Sequence, residues 1–362
     1  MKIFCYYNEY FITCEDNPLF LKKLENTCYN NIITGDKNRD RGGIMKKNDN
    51  TPSHHGVKIP VEDNNYPNET IKLLIERGSC RNFSNKKVED QVLDFILKSG
   101  IHGATGGNLQ PYSVIKIEDK ERRHNLAEKW GQIFMAKAPV HLLFCIDWHR
   151  LKRWAELETA PFSATSSFRH FWISFQDVII CAQNICTAAD SLGLGSVYIG
   201  TAVDYIREIR EMFELPQGVY PVVLLCLGYP KIKPSVRKKL PPSVIVHNER
   251  YNFIDDTEMI KNFNKKYEDT RIEITEERMK DMEETCREVH GEEFAKKCIK
   301  KIKETGYITQ VQRYFGLHYR ANEMPRGNKE YLKTFKEAGF SWFEEFILPE
   351  PVKNHFFSDK KR

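Results

Sequence analysis

Hydrophobic residues recur at helical spacing along several stretches of the chain and run together in others. Ile71, Leu74 and Ile75 follow Pro67, a residue suited to the first turn of a helix, and predict a helix that ends near Gly78. The same spacing predicts five further helices, at 89–99, 119–130, 203–213, 275–304 and 328–338. Shorter apolar runs predict strands at 112–117, 140–146 and 222–227. Because the run at 140–146 is almost continuously apolar, its strand is expected in the centre of a sheet.

The longest apolar segment, residues 168–192, is hydrophobic on nearly every face of the helix that it predicts. Its apolar positions include Phe171, Trp172, Phe175, Val178, Ile179, Ala182, Ile185, Cys186 and Ala189. Such a helix must be enclosed. Either a second subunit covers the part that its own chain leaves open, or its own chain wraps it completely.

Composition divides the chain into three regions. Residues 1–65 are rich in Asn, Asp and Lys without a sustained period, which predicts a poorly ordered leader. The codons for residues 41–44 can form a purine-rich run that resembles a bacterial ribosome-binding site. We therefore hypothesise that Met45 is the natural start, the alternative being a real but dispensable extension. Residues 66–251 are predicted to form the main domain. Residues 252–362 are charged and helical, and aromatic residues near their end predict a tail that docks on its own subunit or on a partner.

Overall composition excludes several classes of function. A net charge of +5 in 362 residues falls short of a nucleic-acid-binding footprint. No apolar run is long enough to span a bilayer, and the first 17 residues lack a signal-peptide core, so we expect a cytoplasmic protein that contacts no membrane. The ten cysteines form no Cys-x-x-Cys pair, which predicts reduced core residues and no metal site.

Two segments carry the candidate chemistry, and the first is 77–81. It places Arg77, Ser79 and Arg81 at alternating positions, with Gly78 between the first two. Guanidinium and hydroxyl groups give directional, charge-assisted hydrogen bonds to a phosphate. By itself the pattern is more often a solvated surface, so its value depends on the motifs that later segments of the chain carry.

The second segment is a glycine-rich polar loop at 103–112 that leads into a predicted strand. Its glycines allow the backbone to approach a flat ring closely, and the amides of Asn108 and Gln110 both donate and accept hydrogen bonds. This suits the pyrimidine edge of a flavin, which alternates donors and acceptors. Taken alone, the loop could be an ordinary turn before a strand.

Three later stretches, with the Asn-x-Gln-Pro-Tyr sequence of 108–112, complete an order that resembles the nitroreductase family of FMN oxidoreductases. The stretches are Gly193 to Gly200, Cys226 to Pro230, and Arg237-Lys238-Lys239. The resemblance runs from about Asn68 to Tyr251. It implies an α+β fold with a central, mainly antiparallel sheet flanked by helices, to which residues 252–362 add a long C-terminal helical extension.

The resemblance also implies a function. It implies bound FMN, NADPH or NADH as reductant, and a small-molecule electron acceptor such as a nitro compound, quinone or flavin, in a ping-pong hydride transfer without a catalytic side chain. The FMN contacts that it implies are Arg77, Gly78, Ser79, Arg81, Asn108, Gln110, Tyr198, Gly200, Arg237 and Lys239. Among these, the Gly200 N–H would face flavin N5, and the last two side chains the phosphate. A homodimer centred on helix 168–192 is implied as well.

The stretches 194–200, 215–221 and 240–247 are similar to the oxygen-insensitive, NADPH-preferring branch of the family. Gly78 departs from that pattern, because a basic residue is common there, and the chain beyond Tyr251 does not reproduce the branch's basic loop for the NADPH 2'-phosphate. The choice between NADPH and NADH stays open at this stage. Two other interpretations stay open too: a flavin-binding or sensing protein with little turnover, and a specialised member such as a dehalogenase or a dehydrogenase of a modified peptide.

Overall fold

The computed structural model describes residues 4–7, 10–13 and 66–347. The chain divides into two compact units, residues 1–58 and 59–362. In the first unit, β1 (Phe4–Tyr7) pairs antiparallel with β2 (Tyr10–Thr13). The hypothesis that Met45 is the natural start concerns residues outside the described ranges.

A four-stranded antiparallel sheet organises the second unit. It contains β3 (Tyr112–Ile117), β4 (Val140–Asp147), β5 (Gly195–Ile199) and β6 (Val219–Gly228), in the order β3-β4-β6-β5. All three strand pairs are antiparallel, which confirms the predicted sheet. Every residue of β4 is buried, and the strand lies in the interior of the sheet as its apolar run predicted.

Helices flank the sheet and follow it along the chain. Those before β6 are α1 (Glu69–Glu76), α2 (Asp90–Ile101), α3 (Lys120–Lys129), α4 (His149–Leu157), α5 (Phe168–Ser191) and α6 (Ile206–Met212). Those after β6 are α7 (Pro242–Ile245), α8 (Asp256–Lys266), α9 (Glu276–His290), α10 (Glu292–Thr305), α11 (Gln310–Arg313) and α12 (Asn328–Glu337). No described helix is both long enough and apolar enough to cross a bilayer.

Side-chain caps fix where several of these helices begin. An oxygen of the residue before the first helical turn accepts a backbone N–H at Asn68, Asp119, Ser167, Asp255 and Thr275. These caps satisfy donors that have no partner within the helix.

One helix prediction was wrong. The segment 275–304 forms two helices, because Gly291 adopts φ 85° and ends α9 before α10 begins. A positive φ interrupts the α-helical hydrogen-bond ladder, and glycine adopts it with little steric cost.

The core has a layer on each face of the sheet. On one face, α2 and α5 pack over Leu142, Phe144 and Leu225. On the other face, Leu143, Cys145 and Leu224 belong to a cluster that also holds buried residues of α3 and α6. The alternation along β4 follows from the two-residue period of a strand.

The end of the described chain returns to the main core. Phe335 of α12 stacks on Tyr220 of β6 with ring centroids 3.9 Å apart, and Phe340 is fully enclosed. The Tyr220 hydroxyl and Thr334 Oγ1 lie 2.8 Å apart, and the Gly218 N–H donates to the Ala338 carbonyl. The predicted tail therefore docks on its own subunit as far as Phe343, and its last aromatic residues lie outside the described ranges.

The long helix α5 is only partly enclosed by residues 66–347. One side is buried against the sheet through Val178, Ala182, Ile185 and similar residues. Large apolar side chains on the other side remain exposed, namely Phe168, Trp172, Phe175 and Ile180. Residues 66–347 therefore do not wrap α5 completely.

Candidate functional site

The segment 77–81 lies along the beginning of β5. The Cys80 N–H donates to the Ser196 carbonyl at 2.9 Å, and Cys80 is buried against Gly195. Because neighbouring side chains of an extended segment point to opposite sides, Ser79 and Arg81 are directed away from the core and are exposed. The Arg81 guanidinium carbon lies 5.9 Å from the centre of the Phe134 ring.

Arg77 is held by its own chain. Its Nε donates to Asp190 Oδ2 at 2.8 Å, and its guanidinium also donates to Ser196 Oγ at 3.1 Å. Burial is the largest single effect on Arg77 and opposes its charge, but the hydrogen bond to Asp190 and the attraction of nearby acidic groups together outweigh it, and the pKa of Arg77 is raised. For Asp190 burial is the larger effect, and it raises the pKa of the carboxyl in spite of the neighbouring cation. Arg77 thus anchors this segment to the C-terminal end of α5.

A second basic segment follows β6 and runs beside the first. The Ser84 N–H donates to the Tyr229 carbonyl, the Lys231 N–H donates to the Asn82 carbonyl, and a Cβ on Gly78 would stand only 2.5 Å from the Ser235 carbonyl oxygen. This contact explains why residue 78 is glycine, since any side chain there would displace the neighbouring backbone.

Two exposed cations follow directly. Arg237 and Lys239 lie two and four residues beyond Ser235, within about 7 and 14 Å of backbone reach. Within residues 66–347, Arg81, Arg237 and Lys239 form no salt bridge, whereas the intervening Lys238 pairs with Glu268 and Asp269. Three cations without a salt-bridge partner among residues 66–347 therefore lie at this edge of the sheet.

The end of β5 adds an open backbone position. Gly200 is exposed, and a Cβ built on it would meet no atom within 4 Å. The next residue, Thr201, is hydrogen-bonded to the Gln132 side chain, two residues before Phe134. Gly200 and Arg81 thus both border the short helical turn Ile133–Lys137. Tyr198 points toward α5, its hydroxyl is buried without a hydrogen-bond partner in the described part of the chain, and burial raises its pKa.

The glycine-rich loop before β3 lies away from these cations and packs on α5. The Gly106 N–H meets both carboxylate oxygens of Asp177 at 3.2 Å. The side-chain amide of Gln110 donates to the Ile101 backbone carbonyl, while the backbone carbonyl of Gln110 accepts from the Arg150 guanidinium. Asn108 is exposed at the outer point of the loop with φ 55°.

Strand order separates this loop from the cations. Tyr112 is opposite Ile146, which is opposite Tyr220, and Ile199 is opposite Leu224. Three strand spacings and four residues along β6 place the start of β3 and the end of β5 about 20 Å apart. In one chain, Asn108 and Gln110 are therefore not brought together with Gly200 and Arg81. The ten candidate residues form two groups on opposite edges of the sheet.

The group on the β5 edge fits the demands of FMN. Guanidinium, ammonium and hydroxyl groups without an internal ionic partner suit a dianionic phosphate. The open space beside Gly200 suits the close approach of a flat ring to backbone. What this edge lacks is the pair of amides predicted for the pyrimidine edge, which the loop before β3 carries.

The structure identifies residues that the sequence pattern missed. Gln132 and Thr201 meet beside Gly200, and neither stands in a recognisable motif. Asp177 and Asp190 each fix one half of the candidate site from α5. Both could have been identified from the sequence, because an aspartate within an apolar helix requires a hydrogen-bond or ionic partner when it is buried.

Comparisons with known proteins agree with this architecture. A model of the nitroreductase family matches residues 74–229. The chain is 32% identical over 188 residues to the oxygen-insensitive NADPH nitroreductase of Salmonella typhimurium, a match that covers 52% of this chain and 76% of that protein. It is 33% identical over 186 residues to an FMN reductase [NAD(P)H] of Bacillus subtilis, covering 51% and 75% of the two chains.

Solved structures extend the match. B. megaterium NfrA2 superimposes with a TM-score of 0.60 and 26% identity, covering 76% of this chain and 99% of that chain. Nitroreductase A of Vibrio parahaemolyticus gives a TM-score of 0.52 and 30% identity over 56% of this chain and 84% of that one. Because residues 66–251 make up about half of the chain, the NfrA2 match extends beyond that segment.

Proposed function

The chain belongs to the nitroreductase family, and we propose that each of its flavin sites is built from two copies of the chain. It is an FMN-dependent NAD(P)H oxidoreductase, as its relatives' activities and the phosphate-binding edge of β5 together support. The observation that carries the proposal is the distance of about 20 Å between the two halves of the candidate site.

FMN, when bound, accepts a hydride from NAD(P)H and passes reducing equivalents to a small-molecule acceptor. The protein's own groups bind and orient it. Arg81, Ser79, Arg237 and Lys239 would hold the phosphate, while Arg77 and Gly78 shape the segment that carries the first two. The backbone at Gly200, close to Tyr198 in the chain, would contact the ring. The amides of Asn108 and Gln110 stabilise the negative charge of the reduced form. No side chain is required as a proton-transfer catalyst.

A second copy of this chain is the partner that completes the site. The exposed apolar side of α5, with Phe168, Trp172, Phe175 and Ile180, is a contiguous surface of the kind that marks an interface. Leu109, exposed between the two amide residues, belongs to a loop that borders this exposed side, because a Cβ on Gly103 would stand 3.0 Å from the Ile180 side chain. A two-fold contact through α5 would carry each loop toward the other subunit's flavin.

The first test is spectroscopic. Purified protein is expected to show the visible absorption of bound flavin, and anaerobic NADPH or NADH is expected to bleach it. Comparing the two bleaching rates determines which nucleotide is preferred. Colourless protein that does not take up added FMN contradicts the function itself.

The second test addresses the shared site. Arg81→Ala and Asn108→Asp subunits, carrying different affinity tags, are co-expressed and the mixed dimer is isolated. A shared site leaves one of the two sites intact in the mixed dimer, so one FMN per dimer is expected, against close to none in either homodimer. If each site lay within one chain, both sites of the mixed dimer would be defective and it would bind no FMN.

The cytoplasm is the proposed location. NAD(P)H is supplied there, and the seven cysteines within residues 66–347 are all unpaired, as expected in a reducing compartment. Fractionation of the host cell, with the bound flavin as marker, tests this.

A further inference from the structure

We infer that Asp177 is a positioning residue for flavin binding, because its buried carboxylate holds the loop that carries Asn108 and Gln110. This inference rests on the proposed function, since it assigns a role within the same site. Asp177 itself does not belong to the exposed surface of either half of the site.

The geometry around Asp177 is that of an anchor. The residue is 3% exposed, on the side of α5 that faces its own chain, and both carboxylate oxygens lie 3.2 Å from the Gly106 nitrogen. Desolvation raises the pKa of Asp177, and the Gly106 N–H partly offsets this. A carboxylate is costly to bury, so its place in a helix core requires a specific partner.

The loop is pressed directly on the helix at this point. A Cβ on Gly106 would stand 2.5 Å from the Ile173 side chain, so only glycine allows the approach. The loop's other end is held by Arg150, which donates to the Gln110 carbonyl at 2.8 Å. Asn108 lies between these two anchors.

The restrained loop has an unfavourable backbone. Asn108 and Gln110 have φ of 55° and 50°, in the left-handed region that residues with a side chain rarely adopt. Such conformations persist only where the surroundings impose them. The Asp177 bond is one of the contacts that impose this conformation, and it therefore sets the direction of the Asn108 amide before a flavin arrives.

Two variants of Asp177 that keep the branch at Cγ separate its effects. Asp177→Leu removes the acceptor, and Asp177→Asn keeps an oxygen acceptor without the charge. Ser174→Ala is the matched control, because Ser174 is equally buried one turn away and bonds only to the His170 carbonyl of its own helix. The full-length holoprotein is diluted, and the rise in fluorescence reports FMN release.

Asp177→Leu is expected to raise the FMN dissociation constant about tenfold, Asp177→Asn about threefold, and Ser174→Ala less than twofold. Hydrogen exchange should speed up at 104–110 in the Asp177 variants only. The midpoint potential of the bound flavin should become more negative, since misplaced amides stabilise the reduced form less.

Wild-type FMN retention in Asp177→Leu overturns the inference, as does weaker retention with unchanged exchange at 104–110. Should Asp177→Leu not fold, Asp177→Asn decides by the same two measurements. Failure of the proposed function is distinct from either result, because the wild-type protein would then release no FMN at all, having bound none.

Discussion

Replacing Arg81 or Arg77 by alanine is expected to affect different properties of the protein. The first replacement should weaken FMN binding, and the second should lower the free energy of unfolding. Arg81 is exposed and has no carboxylate partner among residues 66–347, so Arg81→Ala should change the free energy of unfolding by no more than about 0.5 kcal/mol. A charge-assisted hydrogen bond to a phosphate contributes roughly 1.5–3 kcal/mol, so the FMN dissociation constant should rise about 10- to 150-fold.

Arg77→Ala leaves the Asp190 carboxylate, whose side chain is 12% exposed, without its cation. Breaking a fully buried pair costs about 3–5 kcal/mol, and the remaining exposure of both side chains reduces this to about 2–3 kcal/mol. Loss of Arg77 also raises the pKa of Asp190 further above the ordinary 3.8. A carboxyl with a raised folded-state pKa loses stability as pH rises, so the deficit of Arg77→Ala should be largest near pH 7 and shrink toward pH 4.

Urea unfolding of FMN-free protein gives the stabilities, because bound FMN would itself stabilise the native state of any variant that retains it. Flavin content after gel filtration gives the affinity order. The assignment is refuted if Arg81→Ala keeps stoichiometric FMN, or if Arg77→Ala unfolds at the wild-type urea concentration at pH 7.

Three further perturbations test other parts of the molecule. Burial lowers the pKa of His141 to about 4 from 6.5. The free energy of unfolding should therefore be highest above pH 6.5 and fall by about 3 kcal/mol toward pH 4. Urea unfolding should show this pH dependence in the wild type and not in His141→Gln. Trp172→Glu should weaken the dimer at least about 30-fold in sedimentation experiments and release FMN with it, and a dimer of unchanged affinity would contradict the interface. Gly78→Ala should displace Ser235 and weaken FMN binding by about 1–3 kcal/mol. Unchanged FMN affinity would show that the contact between Gly78 and Ser235 plays no part in FMN binding.

Sequence periodicity predicted the elements whose burial is regular. The strand 112–117 and helix 168–192 were placed to within a residue, because each has a sustained apolar pattern. The five-residue strand β5 was missed, since it begins at a glycine and lies within the stretch 193–200, which was interpreted only as part of the flavin motif. The break at Gly291 was missed for the opposite reason, because the apolar positions continue across it.

The site could be predicted as a set of residue types but not as an arrangement. Alternation at 77, 79 and 81 suggested three phosphate contacts, yet Arg77 is engaged by Asp190, which is 113 positions away in the sequence. The separation of Asn108 from Gly200 depends on β3 and β5 being opposite edges, which follows from strand order and not from any local pattern. The assignment of individual flavin contacts stays a prediction.

The stacking of Phe335 on Tyr220 bears on how the polypeptide matures. The aromatic ring that seals one face of β6 is supplied more than a hundred positions after that strand, so this face stays open to water until α12 has been synthesised. A shortened version ending at residue 251 would leave that face bare, and recombinant work on the catalytic unit should retain everything through residue 343.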